Sequence, residues 1–193
     1  MEMKGERLLA ADRATAWRLL NDSEVLKQCV PGCESMTAIG AGSYDVVMTA
    51  AVGPVKARFK GKMSLADVEP PNRYRLIFEG QSAQAGFARG QARVELETVS
   101  PSETRLRYAA TAQIGGKLAQ IGSRLVDAAA AATADRFFEA FAGQLAAATQ
   151  QAGGVSAPGA AAPAAPARFG FWRWLVSLLR HLLARPAGPK APD

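Results

Sequence analysis

The fold of this 193-residue chain is decided by residues 115–148, which read GGKLAQIGSRLVDAAAAATADRFFEAFAGQLAAA. The stretch contains no proline, and glycine pairs at 115–116 and 153–154 flank it as natural stops. Its apolar residues recur at steps of three and four, which predicts one continuous amphipathic helix with a buried face. On that face we place Leu118, Ile121, Gly122, Leu125, Ala129, Ala132, Thr133, Phe137, Phe141, Leu145 and Ala148.

The segments before this helix predict strands and two short helices. Residues 2–10 have the pattern of a strand, Asp12 can cap a first short helix, and Ser23 can cap a second one that ends before Pro31. A short strand is expected at 34–39. Alternating apolar and polar residues then predict an antiparallel meander with strands at 43–52, 55–68, 73–80, 86–99 and 104–114.

The alternation gives the predicted sheet one apolar and one charged face. Because an apolar sheet face needs a cover, the long helix is expected to lie across it. The predicted fold class is therefore α+β: a helix-grip, START-like domain in which a curved antiparallel sheet is closed by the long C-terminal helix. The charged face collects Lys56, Arg58, Lys60, Lys62, Arg73, Arg75, Arg89, Arg93, Arg105 and Arg107, with Glu79, Glu95 and Glu97.

Many residues on the two apolar surfaces are small, which predicts a hydrophobic cavity between the sheet and the helix. The alternative is that the sheet packs closely on an alanine-rich helix. The predicted cavity-lining residues are Tyr44, Val46, Met48, Ala57, Phe59, Gly61, Met63, Leu76, Phe78, Ala92, Val94, Tyr108, Ala110, Ala112, Leu118, Gly122, Leu125, Ala129 and Thr133.

The formal net charge of +6 favours contact with an anionic surface. Four cations share one strand face at 56, 58, 60 and 62, but no aromatic residues alternate with them for base stacking, so nucleic acid is not expected as a partner. A solvated face is the first interpretation of this row. Contact with acidic lipid or an acidic protein is the second.

Residues typical of catalysis are sparse in the predicted domain. The single histidine, His181, lies near the C-terminus, and neither a P-loop nor a dinucleotide-binding glycine motif occurs. We expect no enzyme activity, no metal site and no covalent cofactor. Cys29 and Cys33 bracket a turn without a second ligand pair, so reduced structural thiols are expected, with a redox or metal role as the alternative. The glycines at 115–116 are expected to serve the strand-to-helix turn rather than an anion site.

The composition changes after the long helix. Residues 1–149 form the predicted START-like domain, 150–167 an Ala/Pro/Gly-rich disordered linker, 168–185 an amphipathic helix and 186–193 a disordered C-terminus. The amphipathic segment is too short and too charged to span a bilayer, so it is expected to lie in the membrane interface, with a partner protein's groove or the domain's own surface as alternatives. The predicted anchor residues are Phe171, Trp172, Arg173, Trp174, Leu175, Leu178, Leu179, Arg180 and Leu182.

Three motifs occur in order along the chain: CVPGCE at 29–34, VGPVKARFKG at 52–61 and GGKLAQIGSRL at 115–125. Together they resemble the G-subunit family of carbon monoxide dehydrogenase, and the resemblance covers about residues 1–149. It implies a START-like fold of the SRPBCC superfamily, a cytoplasmic location and association with the inner face of the cell membrane. Charged residues at the N-terminus agree with a cytoplasmic location, because a signal peptide needs an apolar run there.

The resemblance also implies a partner and a ligand. The family accompanies molybdenum-containing hydroxylases, above all aerobic carbon monoxide dehydrogenase, and it supplies no catalytic residues that could be assigned to this sequence. With the predicted cavity, it suggests a membrane-tethered carrier of isoprenoid quinone that links the dehydrogenase to the respiratory chain. The alternative is a ligand-free recruitment factor that anchors the dehydrogenase to the inner leaflet.

Overall fold

The computed structural model describes residues 1–153. Seven antiparallel strands form one sheet in the order β1-β7-β6-β5-β4-β3-β2, so the first strand pairs with the last and the remaining neighbours form a meander. The strands are β1 (Glu2–Leu9), β2 (Cys33–Gly40), β3 (Ser43–Val52), β4 (Val55–Glu69), β5 (Arg73–Ser82), β6 (Gly86–Ser100) and β7 (Glu103–Gly115). The helices are α1 (Arg13–Leu20), α2 (Ser23–Cys29), α3 (Lys117–Gln120) and α4 (Ser123–Gly153).

The predicted meander and its two faces are confirmed. The predicted strands start and end within a few residues of the observed ones, and the β3–β4 turn follows directly on the pair Val52↔Val55. On β4 the burial alternates, with Ala57 and Phe59 buried and Lys56, Arg58 and Lys60 exposed. The curved sheet closed by a long C-terminal helix is likewise the fold that the sequence predicts.

The prediction of one continuous helix from residue 115 is wrong. The chain forms the single turn α3, breaks at Gly122 with a φ of 95°, and starts the 31-residue helix α4 at Ser123. A φ in the left-handed region suits glycine, because it has no Cβ to clash with the neighbouring carbonyl. Within α4, the helical period counted back from the buried Phe141 runs through Ala134, Ala130 and Val126, which are partly buried, whereas Leu125 and Ala132 are exposed.

The start of α2 also differs from the prediction. Asp22, not Ser23, is the N-cap, and its carboxylate accepts hydrogen bonds from the backbone N–H groups of Glu24 and Val25. Ser23 is the first helical residue. Asp12 caps α1 as predicted, and its carboxylate accepts from the Thr15 N–H at 3.0 Å.

Apolar packing falls into two separate clusters. The first joins the C-terminal half of α4, through Phe141 and Leu145, to α1, α2 and the β6–β7 end of the sheet at Leu96 and Leu106. The second is smaller and joins α3, through Leu118, to Ala57 and Phe59 on β4 and Ala85 in the β5–β6 turn. The long helix is thus packed firmly at its C-terminal half, while α3 is packed at the other end of the sheet.

Candidate ligand-binding site

The middle of the concave sheet face lies between the two apolar clusters. Nine of the predicted cavity residues are there, all partly buried, and none belongs to either cluster. Their side chains are therefore more exposed to solvent than the buried residues of the two clusters. These nine residues are Tyr44, Val46, Gly61, Met63, Leu76, Phe78, Ala92, Ala110 and Ala112.

The remaining predicted residues of the sheet and α3 lie at the borders of this region. Val94 and Tyr108 pack against the first cluster. Met48, Ala57, Phe59 and Leu118 belong to or pack against the second cluster. The two clusters thus form the ends of the candidate site.

The helical side of the site is built from small residues, but not all the predicted ones face it. Ala129 is partly buried, whereas Thr133 is exposed and its hydroxyl donates to the Ala129 carbonyl at 2.7 Å. Gly122 lies exposed in the break, and Leu125 is 50% exposed. The prediction that Gly122, Leu125 and Thr133 lie on the buried face is wrong. Gly122 lies in the break before α4, and the helical period of α4 puts Leu125 nearly opposite the buried Phe141 and Thr133 at the flank of that face. Sequence reasoning missed Val126, Ala130 and Ala134, which are partly buried instead.

An ion pair and an aromatic stack lie where α4 meets the sheet edge at β1. Tyr108 stacks on Phe138 with ring centroids 5.5 Å apart, and the Arg7 guanidinium lies 5.3 Å from the Phe138 centroid. The same guanidinium forms a salt bridge to Asp135 on α4. These contacts hold the middle of α4 against the sheet edge beside the candidate site.

Two inward glycines reflect close strand approach rather than space for a ligand. A Cβ added at Gly61 would lie 2.0 Å from the Glu79 carbonyl oxygen, and one at Gly90 would lie 2.1 Å from the Thr111 carbonyl oxygen. Gly116, with a φ of 75°, is required in the same way, because an added Cβ would lie 2.6 Å from the Gly86 Cα. This agrees with the prediction that the glycine pair serves the turn.

The two cysteines are free thiols. Cys29 is buried in the first cluster and Cys33 is partly buried at the start of β2. Burial raises the pKa of both thiols, which disfavours the thiolate needed for redox chemistry or metal binding. These observations support the structural interpretation of both residues.

The outer face of the sheet carries a groove of about 790 Å³. Its side chains are mainly those that alternate outward, such as Ser64, Ile77 and Gln91, and no residue of α4 contributes to it. Met63, Phe78 and Ala112 of the candidate site also line this groove, so the two regions adjoin through the middle of the sheet. Among the helices of residues 1–153, none combines the length and the apolarity that crossing a bilayer requires. The predicted linker starts at residue 150, but residues 150–153 are the last residues of α4. The rest of the predicted linker and the predicted anchor lie outside the described residues.

The curved antiparallel sheet and the long C-terminal helix that closes it define a START-like protein of the helix-grip type. The chain belongs to the CoxG family, the G-subunit family of carbon monoxide dehydrogenase, whose model matches residues 5–146. A comparison with curated proteins found no match.

Solved structures support this assignment at the level of the fold. A conserved protein from Geobacillus kaustophilus is 27% identical with a TM-score of 0.73, over 76% of this chain and 95% of that one. A START superfamily protein from Mycobacterium smegmatis is 12% identical with a TM-score of 0.57, over 75% and 96% of the two chains. The ZhuI aromatase/cyclase from Streptomyces sp. R1128 is 15% identical with a TM-score of 0.61, over 80% and 99%. The last two identities show a shared fold alone.

Proposed function

We propose that this protein is a carrier of a hydrophobic ligand, a respiratory quinone, and that it serves a carbon monoxide dehydrogenase-type molybdenum hydroxylase at the cytoplasmic membrane. The name of the family supports the partner enzyme. The uncovered middle of the concave face supports the ligand. A carrier needs no catalytic residues, and of the nine side chains there only Tyr44 carries a polar group.

The observation that carries the proposal is the separation of the two apolar clusters. A domain of this size normally has one contiguous core with smaller satellite clusters, and here Leu76, Ala92 and Ala110 lie between the core and a satellite of four buried residues without joining either. Burying an isoprenoid chain on such a surface yields about 0.8 kcal/mol per CH₂ group. The alanines leave room for that chain, and the two clusters keep the sheet and α4 in place around it.

Membrane tethering in this proposal rests on the sequence of residues 168–185. Trp172 and Trp174 suit the headgroup region, and each basic side chain contributes about 1 kcal/mol next to anionic lipid. A tether keeps the domain close to the bilayer and so raises the effective concentration of quinone near the cavity. The tethered carrier would then meet the dehydrogenase at the same membrane surface.

Ala110→Phe tests the carrier function directly. The new ring would occupy the middle of the concave face, so we expect the affinity for a short-chain ubiquinone to fall at least about tenfold, with the unfolding free energy lowered by less than about 1 kcal/mol because the space is unfilled. Native mass spectrometry of the detergent-purified full chain measures the bound quinone, and a urea titration measures the stability.

The neighbouring substitution Ala109→Phe is the matched control. Ala109 lies one residue earlier on β7, is exposed and alternates to the outer face, so the same ring there should leave quinone binding unchanged. Equal quinone affinity in both folded variants would place the ligand elsewhere. If neither variant nor the original chain binds quinone, while the dehydrogenase still reaches the membrane, the ligand-free recruitment factor is the correct alternative.

Deleting residues 168–193 tests the tether. After a high-salt wash, which screens charge contacts between the domain and lipid, we expect most of the protein to move from the membrane fraction to the soluble fraction, because the deleted segment carries the predicted apolar anchor. Quinone affinity in detergent should stay unchanged. A truncated chain that remains fully in the membrane fraction would contradict the proposed role of this C-terminal tail.

A further inference from the structure

Three segments of the domain meet at one end of the sheet. A Cβ added at Gly53, in the β3–β4 turn, would lie 3.6 Å from Leu125 Cδ1 and 3.7 Å from Ile121 Cγ2. The Leu118 N–H donates to the Ala85 carbonyl at 3.0 Å, which brings the β5–β6 turn to the same place. We call this end the basic tip, and it comprises residues 51–60, 83–89 and 115–126.

The basic tip exposes apolar side chains. Leu125 is 50% exposed and Phe87 is 39% exposed, although both are large hydrophobic residues. Pro54 is exposed at the β3–β4 turn itself. Single exposed apolar residues are ordinary, but several at one protruding end of a domain are typical of a contact surface.

Positively charged side chains surround these exposed apolar residues. No aspartate or glutamate occurs in 46–66, 80–94 or 104–126, the three stretches that contain the tip segments. One carboxylate from another strand does reach the tip, since Glu34 on β2 pairs with Arg58 at 2.7 Å. Away from the tip, pairing is denser: Glu6 and Glu97 each pair with both Arg105 and Arg107. The tip cations that take part in no ion pair within residues 1–153 are Lys56, Lys60, Arg89, Lys117 and Arg124.

We propose that the basic tip is a membrane-contact surface separate from the C-terminal tail, and that it binds bilayers rich in anionic lipid. Its apolar residues protrude from turns and a helix start, so they can enter the interface while the surrounding cations stay at the phosphate level. A protein interface is the less suitable match, because lysine is depleted at such interfaces whereas three of the five unpaired cations here are lysines.

Such a contact would orient the domain as well as hold it. The tip is formed over the second apolar cluster, which closes one end of the candidate ligand site. Tip binding would therefore turn that end of the site toward the lipid from which a hydrophobic ligand enters. This consequence rests on the proposed carrier function, whereas the lipid contact itself does not.

The test uses the full chain with its tail weakened by Trp172→Asp, Trp174→Asp and Leu179→Asp. We expect this protein to co-sediment with phosphatidylcholine vesicles that contain phosphatidylglycerol, and not with phosphatidylcholine alone. Adding Lys56→Glu, Lys117→Glu and Arg124→Glu should lower the partition coefficient at least about a hundredfold, since each cation near an anionic surface contributes about a fivefold factor.

A second triple variant is the control for net charge. Lys4→Glu, Arg18→Glu and Arg136→Glu change the charge equally, at positions outside the tip, and should weaken binding less than about fivefold because screening limits distant charges. Leu125→Trp gives an independent readout in the tail-weakened chain, where Trp17 is the other remaining tryptophan. Its fluorescence should be quenched by brominated lipid.

Several results would overturn the proposal. The first three are equal losses of vesicle binding in the two triple variants, no binding of the tail-weakened chain to anionic vesicles, and no quenching of the new tryptophan. The fourth is a tip triple variant that still binds vesicles but no longer binds the purified dehydrogenase, which would make the tip a protein-docking surface. Quinone affinity of the Ala110→Phe and Ala109→Phe pair in detergent is independent of these outcomes, so failure of the lipid contact can be told from failure of the carrier function.

Discussion

Replacing Phe141 by alanine will lower the free energy of unfolding by about 3–5 kcal/mol, a large part of the stability of a domain this size. Phe141 is fully buried, and its ring stacks on Phe137 with an interplanar angle of 8° and centroids 5.8 Å apart. It lies in the cluster that joins α4 to α1, α2 and the sheet. Denaturant titration followed by circular dichroism measures the change.

The effect should depend on where along α4 the apolar residue lies. Phe141→Leu keeps much of the buried area and should cost about half as much as the alanine variant. Leu125→Ala should cost less than about 1 kcal/mol, because the side chain is already 50% exposed. If Leu125→Ala destabilised the protein as much as Phe141→Ala, the start of α4 would be packed as firmly as its C-terminal half, which would contradict an uncovered concave face.

The sheet could be predicted from the sequence because its pattern is local. Side chains alternate across a strand, so the charges at 56, 58, 60 and 62 and the apolar residues between them assign both faces without knowledge of any neighbour. Proline and glycine at 53–54 mark the turn between the third and fourth strands. The family resemblance rests on the same local motifs, and the family match over residues 5–146 confirms it.

The break in the long helix was missed because the apolar spacing runs through it. Leu118, Ile121 and Leu125 keep the three- and four-residue steps of one helix even though α3 ends at Gln120 and α4 starts at Ser123. The neighbours Gly122 and Ser123 were the available indication, since glycine commonly follows a helix and serine commonly starts one. The prediction places Leu125 on the buried face instead of Val126 for another reason: the predicted face contains a five-residue step from Ala132 to Phe137, which one face of a helix does not follow.

The edge of the candidate site could not be predicted from local pattern. Arg7 alternates to the inner face of β1, and its charge there is explained by Asp135 and the Phe138 ring, which lie beside it but about 130 residues later in the chain. The glycines posed the same difficulty. From the sequence, Gly61 indicated space for a ligand. The structure shows instead that a glycine is needed there because the neighbouring strand approaches closely, and that approach depends on how the whole sheet curves.

Gly61→Ala should therefore prevent stable folding rather than alter the ligand site. The new Cβ would lie 2.0 Å from the Glu79 carbonyl oxygen and 2.8 Å from the Gly80 Cα, and backbone atoms of a paired strand cannot move aside as a flexible side chain can. We expect a loss of more than about 4 kcal/mol, measured as a collapse of soluble expression or of the urea midpoint.

Gly80→Ala is the matched control for this prediction, because Gly80 is the residue opposite Gly61 in the β4–β5 pair. Its added Cβ would meet Phe59 Cβ at 3.9 Å, an ordinary van der Waals contact, so the stability should change by less than about 1 kcal/mol. A well-folded Gly61→Ala protein would show that β4 and β5 can separate there at little cost. The glycine would then serve the ligand cavity after all, and quinone affinity rather than stability should fall in that variant.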